Sequence, residues 1–436
     1  MNCYNLHSLT EFTLTRSTGL RLFAFAACYF AQGVPIGLFI IALPAWLAEQ
    51  GANAADIASL VAITGLPWAF KLVAGPFMDR FTFPAMGRRR PWLMGAQLGL
   101  TLSLLGLLAV TDPLAQLWLI VSVGFVSSVF GALQDVAVDG MAIDVLPEGE
   151  RGRANAFMAA GQVAGYSAFA AINGYLLTHH GLALAAVSST LTVGLVLILV
   201  TLLRERPGER MLPWTPGAAS SRAGTLERSL GQIMRDLLRV VFLPMSLLLV
   251  GIEFLSRAAG GVGLTIFPIL AVQELGYSTE QYGSWMGIVG GIAAFAGLLF
   301  GPFIDRYGAK PLLLAGLGGG AAVHLAFALA NAHWQNDAFV LSMLGFGQIF
   351  GQIFFVAVIA TFMGLCWIKV AATQFAVYMS LANLSRSVGA ALFALIATDV
   401  SSTQALYIIA GLLLLAALLL LLFDPEQHHR HMRNIK

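Results

Sequence analysis

The sequence predicts an all-α integral membrane protein in which about twelve transmembrane helices form two six-helix, pseudo-symmetric bundles. Composition, recurring apolar runs and the distribution of Lys and Arg support this fold class. Of the 436 residues, 58% are hydrophobic and 11% are charged. Soluble domains carry about 25% charged residues because their surfaces face water. The composition is therefore typical of a chain whose surface faces hydrocarbon.

Apolar runs long enough to cross a bilayer recur along the whole chain. A spanning helix needs about 20 predominantly apolar residues. In chain order, the twelve predicted spans are residues 22–47, 57–77, 92–110, 117–143, 154–177, 182–203, 241–272, 282–304, 312–330, 338–367, 370–396 and 405–423. The stretch between spans six and seven is rich in Pro, Gly, Ser and Arg. We therefore predict an N-terminal bundle (1–203), a cytoplasmic linker (204–240) and a C-terminal bundle (241–436).

Lys and Arg occur in alternate loops. They follow spans two, four, eight and ten, and they also occupy the linker and the C-terminal tail. The intervening loops near Gly51, Asp112, His180 and Gln273 contain none. Because cytoplasmic loops concentrate Lys and Arg, both termini are predicted to be cytoplasmic.

Several classes of partner are not expected. A net charge of +2 without a basic arm argues against nucleic acid. Cys3, Cys28 and Cys366 lack metal-ligand spacing, so no metal site and no disulfide framework are predicted. The first twenty residues lack the pattern of a cleaved signal peptide. No cofactor is expected.

The two halves share a motif at the same position. Gly75-Pro-Phe-Met-Asp79-Arg80 closes span two, and Gly301-Pro-Phe-Ile-Asp305-Arg306 closes span eight. Parallel six-helix repeats joined by a long linker form the major facilitator architecture. Gly75-x-x-x-Asp79-Arg80, followed by Gly87-Arg88-Arg89-Arg90, resembles the loop signature of that superfamily between spans two and three.

The loop between spans two and three is longer than is usual in the superfamily, and this narrows the resemblance to one group of its members. Residues 81–86 are inserted before Gly87, which resembles the AmpG-type muropeptide permeases and the related acetyl-CoA transporters. Segments 134–139, 144–152, 372–376 and 381–386 support this resemblance. The segment from Gly161 to Tyr166 is closer to the acetyl-CoA branch, and many AmpG-type permeases carry two extra spans.

The resemblance implies a proton-coupled importer of a bulky amphipathic, anionic solute across the bacterial inner membrane. An anhydromuropeptide, which is a glycopeptide, is the first choice, and a siderophore or an acyl-CoA is the alternative. We expect a monomer in the lipid bilayer. A membrane-embedded acyltransferase is disfavoured because no Ser-His-Asp set lies near a loop.

Ionisable side chains within spans cost about 2.5–3.5 kcal/mol each on insertion scales, so they usually face a cavity or a partner. We predict that Glu253, Asp135 and Asp139 are the candidates for proton coupling. Lys71 and Asp139 lie at matching depths, which predicts an ion pair. The simpler alternative for all these groups is pairing that only holds helices together.

A second set of residues is predicted to bind the solute. Arg257 and Arg386 lie at one depth and suit a carboxylate or phosphate. Glu253 shares a helix face with Arg257, and simple pairing of the two is the alternative. The predicted binding residues are Arg257, Arg386, Lys71, Gln32, Gln134, Gln162, Tyr166, Gln352 and Asn383. The superfamily fold puts His324 outside the cavity.

The repeated motif predicts a gate that stabilises one access state. Its residues are Gly75, Asp79, Arg80, Gly87, Arg88, Arg89, Arg90, Arg151, Asp305 and Arg306. Carboxylates at helix ends can meet arginines or a helix N-terminus there. The alternative is that the arginines only anchor the topology.

Overall fold

The computed structural model describes residues 13–147, 150–217, 230–367 and 370–433. Within these ranges the chain is helical, and its one β-bridge joins Thr13 to Arg204. A helical segment covers each of the twelve predicted spans, so the prediction of an all-α membrane fold with two six-helix bundles is confirmed.

The spans keep their numbers from the sequence. Spans one to six are Thr18–Glu49, residues 54–80, Arg90–Ala109, Leu117–Val145, Arg151–His180 and Leu182–Leu202. Spans seven to twelve are Pro244–Glu274, Thr279–Tyr307, Ala309–Leu329, Asp337–Leu365, Ala371–Ala394 and Ser402–Leu421. A linker helix (Leu230–Val241) precedes span seven, and a short helix (Pro425–Arg433) follows span twelve.

Eight helices of the described chain are long and apolar enough to cross a membrane, and four spans fall outside that set. These four are spans two, five, eight and eleven, which occupy equivalent places in the two halves. Span two packs on span eleven and span five packs on span eight. These spans carry polar residues and face the other half of the protein, and glycines such as Gly174 and Gly283 let spans five and eight pack closely.

Proline interrupts the equivalent spans one and seven near the same end. In span one, Pro35 precedes a π-helical segment at Gly37–Ala42. In span seven, Pro268 precedes another at Leu270–Glu274. Proline removes a helical hydrogen bond, and π-helical turns often lie at functional sites.

Glycines bring two pairs of helices into backbone contact. A Cβ added at Gly165 of span five would lie 2.2 Å from the Phe30 carbonyl oxygen of span one. A Cβ at Gly261 of span seven would lie 2.4 Å from the Arg386 carbonyl oxygen of span eleven. The first contact places polar residues of spans one and five side by side, and the second brings Arg257 and Arg386 to neighbouring helices.

Candidate functional site

A network of polar side chains crosses the N-terminal bundle. Lys71 Nζ forms an ion pair with Asp135 Oδ2, and Gln32 Nε2 donates to Asp135 Oδ1 at 3.0 Å. Gln162 Nε2 donates in turn to Gln32 Oε1. The ammonium of Lys71 also lies 4.5 Å from the ring centroid of Trp68. The network therefore links spans one, two, four and five.

The predicted pair between Lys71 and Asp139 is wrong. Asp139 instead accepts a hydrogen bond from the Tyr29 hydroxyl at 2.5 Å. Asp135 and Asp139 are one helical turn apart, which is about 6 Å along the axis. A long lysine side chain can reach either carboxylate, so matching depth does not choose between them. The position of Tyr29 on span one decides the pairing.

Gln134 is also corrected. Its side chain is 0% exposed, and its Nε2 donates to the Cys28 carbonyl at 2.8 Å. Gln134 lies one residue before Asp135 and so points to a different side of span four. It ties span four to span one and is not accessible to a solute in this structure.

An ion pair lies within span seven of the C-terminal bundle. Arg257 Nε donates to Glu253 Oε1 at 2.6 Å, as the spacing of four residues predicts. The guanidinium of Arg257 also lies 4.9 Å from the ring centroid of Phe355. Glu253 is buried, and its Oε2 has no hydrogen-bond partner among the described residues. One oxygen of a buried carboxylate is therefore unsatisfied.

Arg257 and Arg386 line one cavity of about 450 Å³. Pockets for small molecules typically measure about 300–1,000 Å³. The polar side chains on its wall are those of Tyr166, Tyr282, Ser256, Arg257, His324, Gln348, Gln352 and Arg386. Arg386 has no ion-pair partner in the part of the chain that the structure describes.

The predicted positions of His324 and Asn383 can be compared with the wall of this cavity. His324 lines it, so its expected position outside the cavity is wrong. The superfamily argument placed span nine at the periphery, but residues of that helix, among them Gly320 and Val323, line the cavity. Asn383 lies one turn from Arg386 but outside this wall, and its binding role stays a prediction.

The arginines after span two contact a carboxylate that the sequence analysis did not select. Arg88 Nη1 lies 3.5 Å from Asp144 Oδ1, and Arg89 Nε lies 3.6 Å from Asp144 Oδ2. A second ion pair joins Arg21 to Glu150 at 2.7 Å. Both acids belong to the segment 144–152, which was used only for the family resemblance. Their position after span four was the signal that could have identified them.

Arg90 has a different role from the predicted gate. Its side chain is 1% exposed and donates to the carbonyls of Arg210 at 2.9 Å and Met211 at 2.7 Å. Glu205 accepts from the backbone N–H groups of residues 88, 89 and 90 at 3.0, 2.7 and 2.6 Å. These bonds cap the start of span three with a carboxylate, which suits a helix N-terminus. Arg90 thus docks the start of the linker onto the N-terminal bundle.

The other gate residues are partly described. Gly87 has φ +103°, and a Cβ there would lie 2.8 Å from the Glu205 carboxyl carbon, so glycine is required beside this cap. The Arg306 guanidinium lies 5.2 Å from the ring centroid of Tyr307. Gly75 faces Val136 of span four, and Arg80 is exposed. The side chains of Asp79, Arg151 and Asp305, which the gate hypothesis needs, lie outside the described residues.

At the opposite end of the bundle, hydrogen bonds join the two halves. Gln273 Nε2 donates to the carbonyls of Ala48 at 2.8 Å and Ala52 at 2.9 Å. The Thr279 hydroxyl donates to Glu49 Oε2 at 2.5 Å. His179 Nε2 lies 2.8 Å from Glu280 Oε2. We call this set the Glu49-side latch. The sequence analysis missed it because these loops lack Lys and Arg.

Fold, cavity and ionisable groups within the spans together define a membrane transporter. Residues 25–364 and 249–435 match the Major Facilitator Superfamily. The chain therefore belongs to this superfamily and is a multi-pass membrane transporter, not an enzyme. Among solved structures it resembles a D-xylose–proton symporter, with a TM-score of 0.70 at 17% identity, covering 93% of this chain and 98% of that one. A peptide transporter also gives a TM-score of 0.70 at 13% identity, covering 96% and 98%. At such identities these structures support the fold alone.

The chain also resembles AmpG-like transporters in sequence. The anhydromuropeptide permease of Escherichia coli (strain K12) is 26% identical over 362 residues, which cover 82% of this chain and 70% of the relative. The putative transporter AmpG 1 of Rickettsia bellii (strain RML369-C) is 22% identical over 356 residues, covering 79% and 83%. The predicted resemblance is confirmed.

Proposed function

We propose that this transporter imports an anionic, amphipathic solute together with a proton, and that an anhydromuropeptide is its cargo. The observation that carries the proposal is the presence of Arg257 and Arg386 on one cavity wall, with Glu253 paired to only one of them. The name of the Escherichia coli relative supports the choice of cargo. We place the protein in the bacterial inner membrane as a monomer with both termini cytoplasmic.

The charges of the site favour an anion. Arg257 and Arg386 line the cavity, and one carboxylate, Glu253, forms an ion pair with Arg257. Arg257, Arg386 and Glu253 together therefore carry a net charge of +1. An anionic group of the solute that contacts Arg386 removes this excess. Arginine suits the task because its planar fork binds carboxylates and phosphates through two hydrogen bonds and stays charged.

The same group couples the solute to a proton. When an anion contacts Arg257, it competes with Glu253 for the guanidinium. A buried carboxylate that loses its partner is costly, so Glu253 then binds a proton. The unsatisfied Oε2 of Glu253 is the atom that takes it. Solute and proton therefore bind together, which is the requirement for symport. Asp135 and Asp139 are the second candidates because they lie in a connected polar network.

Access to the cavity alternates as the two halves rock against each other. The Glu49-side latch joins the halves at the end opposite the Arg-rich loops. The described conformation is therefore assigned as closed at the Glu49 side.

If the Arg-rich loops are cytoplasmic, a cysteine introduced near Asp112 or Asp399 is labelled from outside intact cells, and one near Ser220 is not. The reverse labelling would reject the orientation.

Uptake into sealed inverted and right-side-out vesicles tests the proposed function. A labelled anhydromuropeptide should accumulate against its gradient when a pH gradient is present, and only equilibrate when the gradient is collapsed. An acyl-CoA and a ferric siderophore are compared in parallel, because Tyr166 of the segment that resembles acetyl-CoA transporters lines the cavity. Accumulation of either one without uptake of the muropeptide would replace the proposed cargo. Uptake that ignores the pH gradient would reject proton coupling.

A further inference from the structure

The cavity that Arg257 and Arg386 line is also lined by spans nine and ten of the C-terminal bundle. Gly316 and Gly320 of span nine and Gly347 and Gly351 of span ten belong to this part of the wall. Phe267 and Phe327 add aromatic surface. A Cβ built at Gly351 would meet nothing within 4 Å, so the wall leaves open space there, whereas Gly316 packs against Phe354 of span ten. A solute whose anionic group reaches the arginines can therefore extend a second, uncharged part into this region.

His324 presents one hydrogen-bonding atom to that region. Its Nδ1 lies 2.7 Å from the carbonyl oxygen of Gly320, one turn earlier on span nine. A carbonyl only accepts, so Nδ1 carries a hydrogen. In a neutral imidazole the other nitrogen, Nε2, is then an acceptor. The ring packs beside Phe267, with 5.9 Å between the centroids, which holds its orientation.

Gly347 leaves the space beside this acceptor open. A Cβ built at Gly347 would lie 3.9 Å from His324 Nε2 and 3.6 Å from His324 Cε1. The glycine therefore faces the edge of the ring that carries the free nitrogen. The acceptor borders the cavity from which a solute would approach.

We infer that His324 Nε2 accepts a hydrogen bond from an uncharged donor of the solute, an amide N–H or a hydroxyl, while the arginines hold its anionic group. The cavity thus recognises a carboxylate or phosphate joined to an amide or sugar portion. This inference rests on the proposed function, because it takes Arg257 and Arg386 as the anion site. It adds a specificity residue on span nine that acts on the part of the solute away from the charge.

Two anionic probes of different chemistry test the inference by isothermal titration of the full-length purified protein. N-acetylmuramate carries a carboxylate, an amide and hydroxyls, whereas benzoate carries a carboxylate and no hydrogen-bond donor. His324→Phe keeps an aromatic ring beside Phe267 and removes the acceptor. It should weaken N-acetylmuramate binding about three- to tenfold, the range expected for one hydrogen bond, and leave benzoate binding within twofold. His324→Gln, which restores an acceptor, should recover part of the loss.

A second variant tests the same contact without changing His324 itself. Gly347→Ala leaves the histidine in place and puts a methyl group beside its free nitrogen. It should also weaken N-acetylmuramate more than benzoate. Gly345→Ala on the same helix is the matched control, since a Cβ there meets nothing within 4 Å. This control should bind both probes as the wild type does.

The outcomes separate this inference from the function on which it rests. Equal weakening of both probes by His324→Phe would mean that the histidine contacts the anionic group or only supports packing, and would overturn the inference. An unchanged affinity for N-acetylmuramate would also overturn it. If neither probe binds the wild type, or if Arg386→Gln affects neither, the anion site itself fails, and with it the proposed function.

Discussion

Lys71 of span two forms its ion pair with Asp135 of span four. The Tyr29 hydroxyl donates a hydrogen bond to Asp139, one turn further along that span. Two carboxylates on one helix face therefore have different partners. Asp135 receives a cation and the amide of Gln32, and Asp139 receives a neutral hydroxyl. The two acids are thus electrostatically distinct, although their spacing in the sequence makes them equivalent.

Removal of one partner from this pair should be worse than removal of both. Lys71→Ala leaves a buried carboxylate without its cation and should lower stability by about 1–3 kcal/mol, less than for a fully buried pair because Lys71 is partly exposed. Lys71→Ala with Asp135→Ala should recover much of the loss, as measured by thermal unfolding in detergent. Lys71→Ala with Asp139→Ala is the matched control and should show no recovery. Equal recovery in the two double variants would contradict the assigned pair.

Glu253→Gln should separate exchange from accumulation. The amide resembles the protonated carboxyl group, so the variant should exchange anhydromuropeptide across vesicles but fail to accumulate it against a gradient. Counterflow and pH-driven uptake measure the two activities in one preparation. Accumulation at the wild-type level would exclude Glu253 as the coupling group, and Asp135→Asn would then be measured in the same way.

Arg386→Lys should raise the KM for an anionic solute several-fold without changing the amount of protein in the membrane. Lysine keeps the charge but cannot form the two parallel bonds of a guanidinium. A neutral amide analogue of the same solute should be transported with unchanged KM. Equal sensitivity of the neutral and anionic solutes would show that Arg386 supports the helix and does not contact the anion.

Glu205→Ala should release the start of the linker from span three. Glu205 is buried and accepts three backbone N–H groups, and each unsatisfied donor costs about 1–3 kcal/mol. Trypsin should then cleave after Arg210, whose carbonyl Arg90 binds in the docked segment, much faster than in the wild type. Glu205→Gln retains a carbonyl oxygen at the same place and should remain more resistant. If both variants are cleaved at the wild-type rate, the docking does not protect this segment.

The ion pair between Arg21 and Glu150 should stabilise the protein at neutral pH and lose this contribution in acid. Hydrogen bonds from Arg21 and then from Thr18 lower the pKa of Glu150 from its ordinary value. A lowered pKa in the folded state means that the contribution is present above the unfolded pKa of about 4.3 and is lost as pH falls through the folded value. Glu150→Gln should therefore lower Tm at pH 7, and its difference from wild type should shrink as the pH falls below the unfolded pKa. A constant difference in Tm across that range would contradict this.

The sequence by itself determined the parts of this protein that depend on the bilayer or on one helix. Each spanning helix needs a long apolar run, so the twelve spans were readable from composition along the chain. The repeated Gly-Pro-Phe motif marked the two halves. The pair between Glu253 and Arg257 was predictable because both groups lie on one helix, where spacing alone sets their distance.

Only the tertiary structure decided which groups meet when they come from different helices. Spacing gives the depth of Lys71 but not the rotation of its helix or the position of Tyr29, so Asp135 and Asp139 could not be distinguished. The docking of Arg90 and Glu205 depends on the path of the linker, which no local pattern encodes. His324 lines the cavity because of how span nine packs against its neighbouring spans, which spacing along span nine does not encode. Contacts of this kind are set by how complete helices pack, and their residues are far apart in the chain.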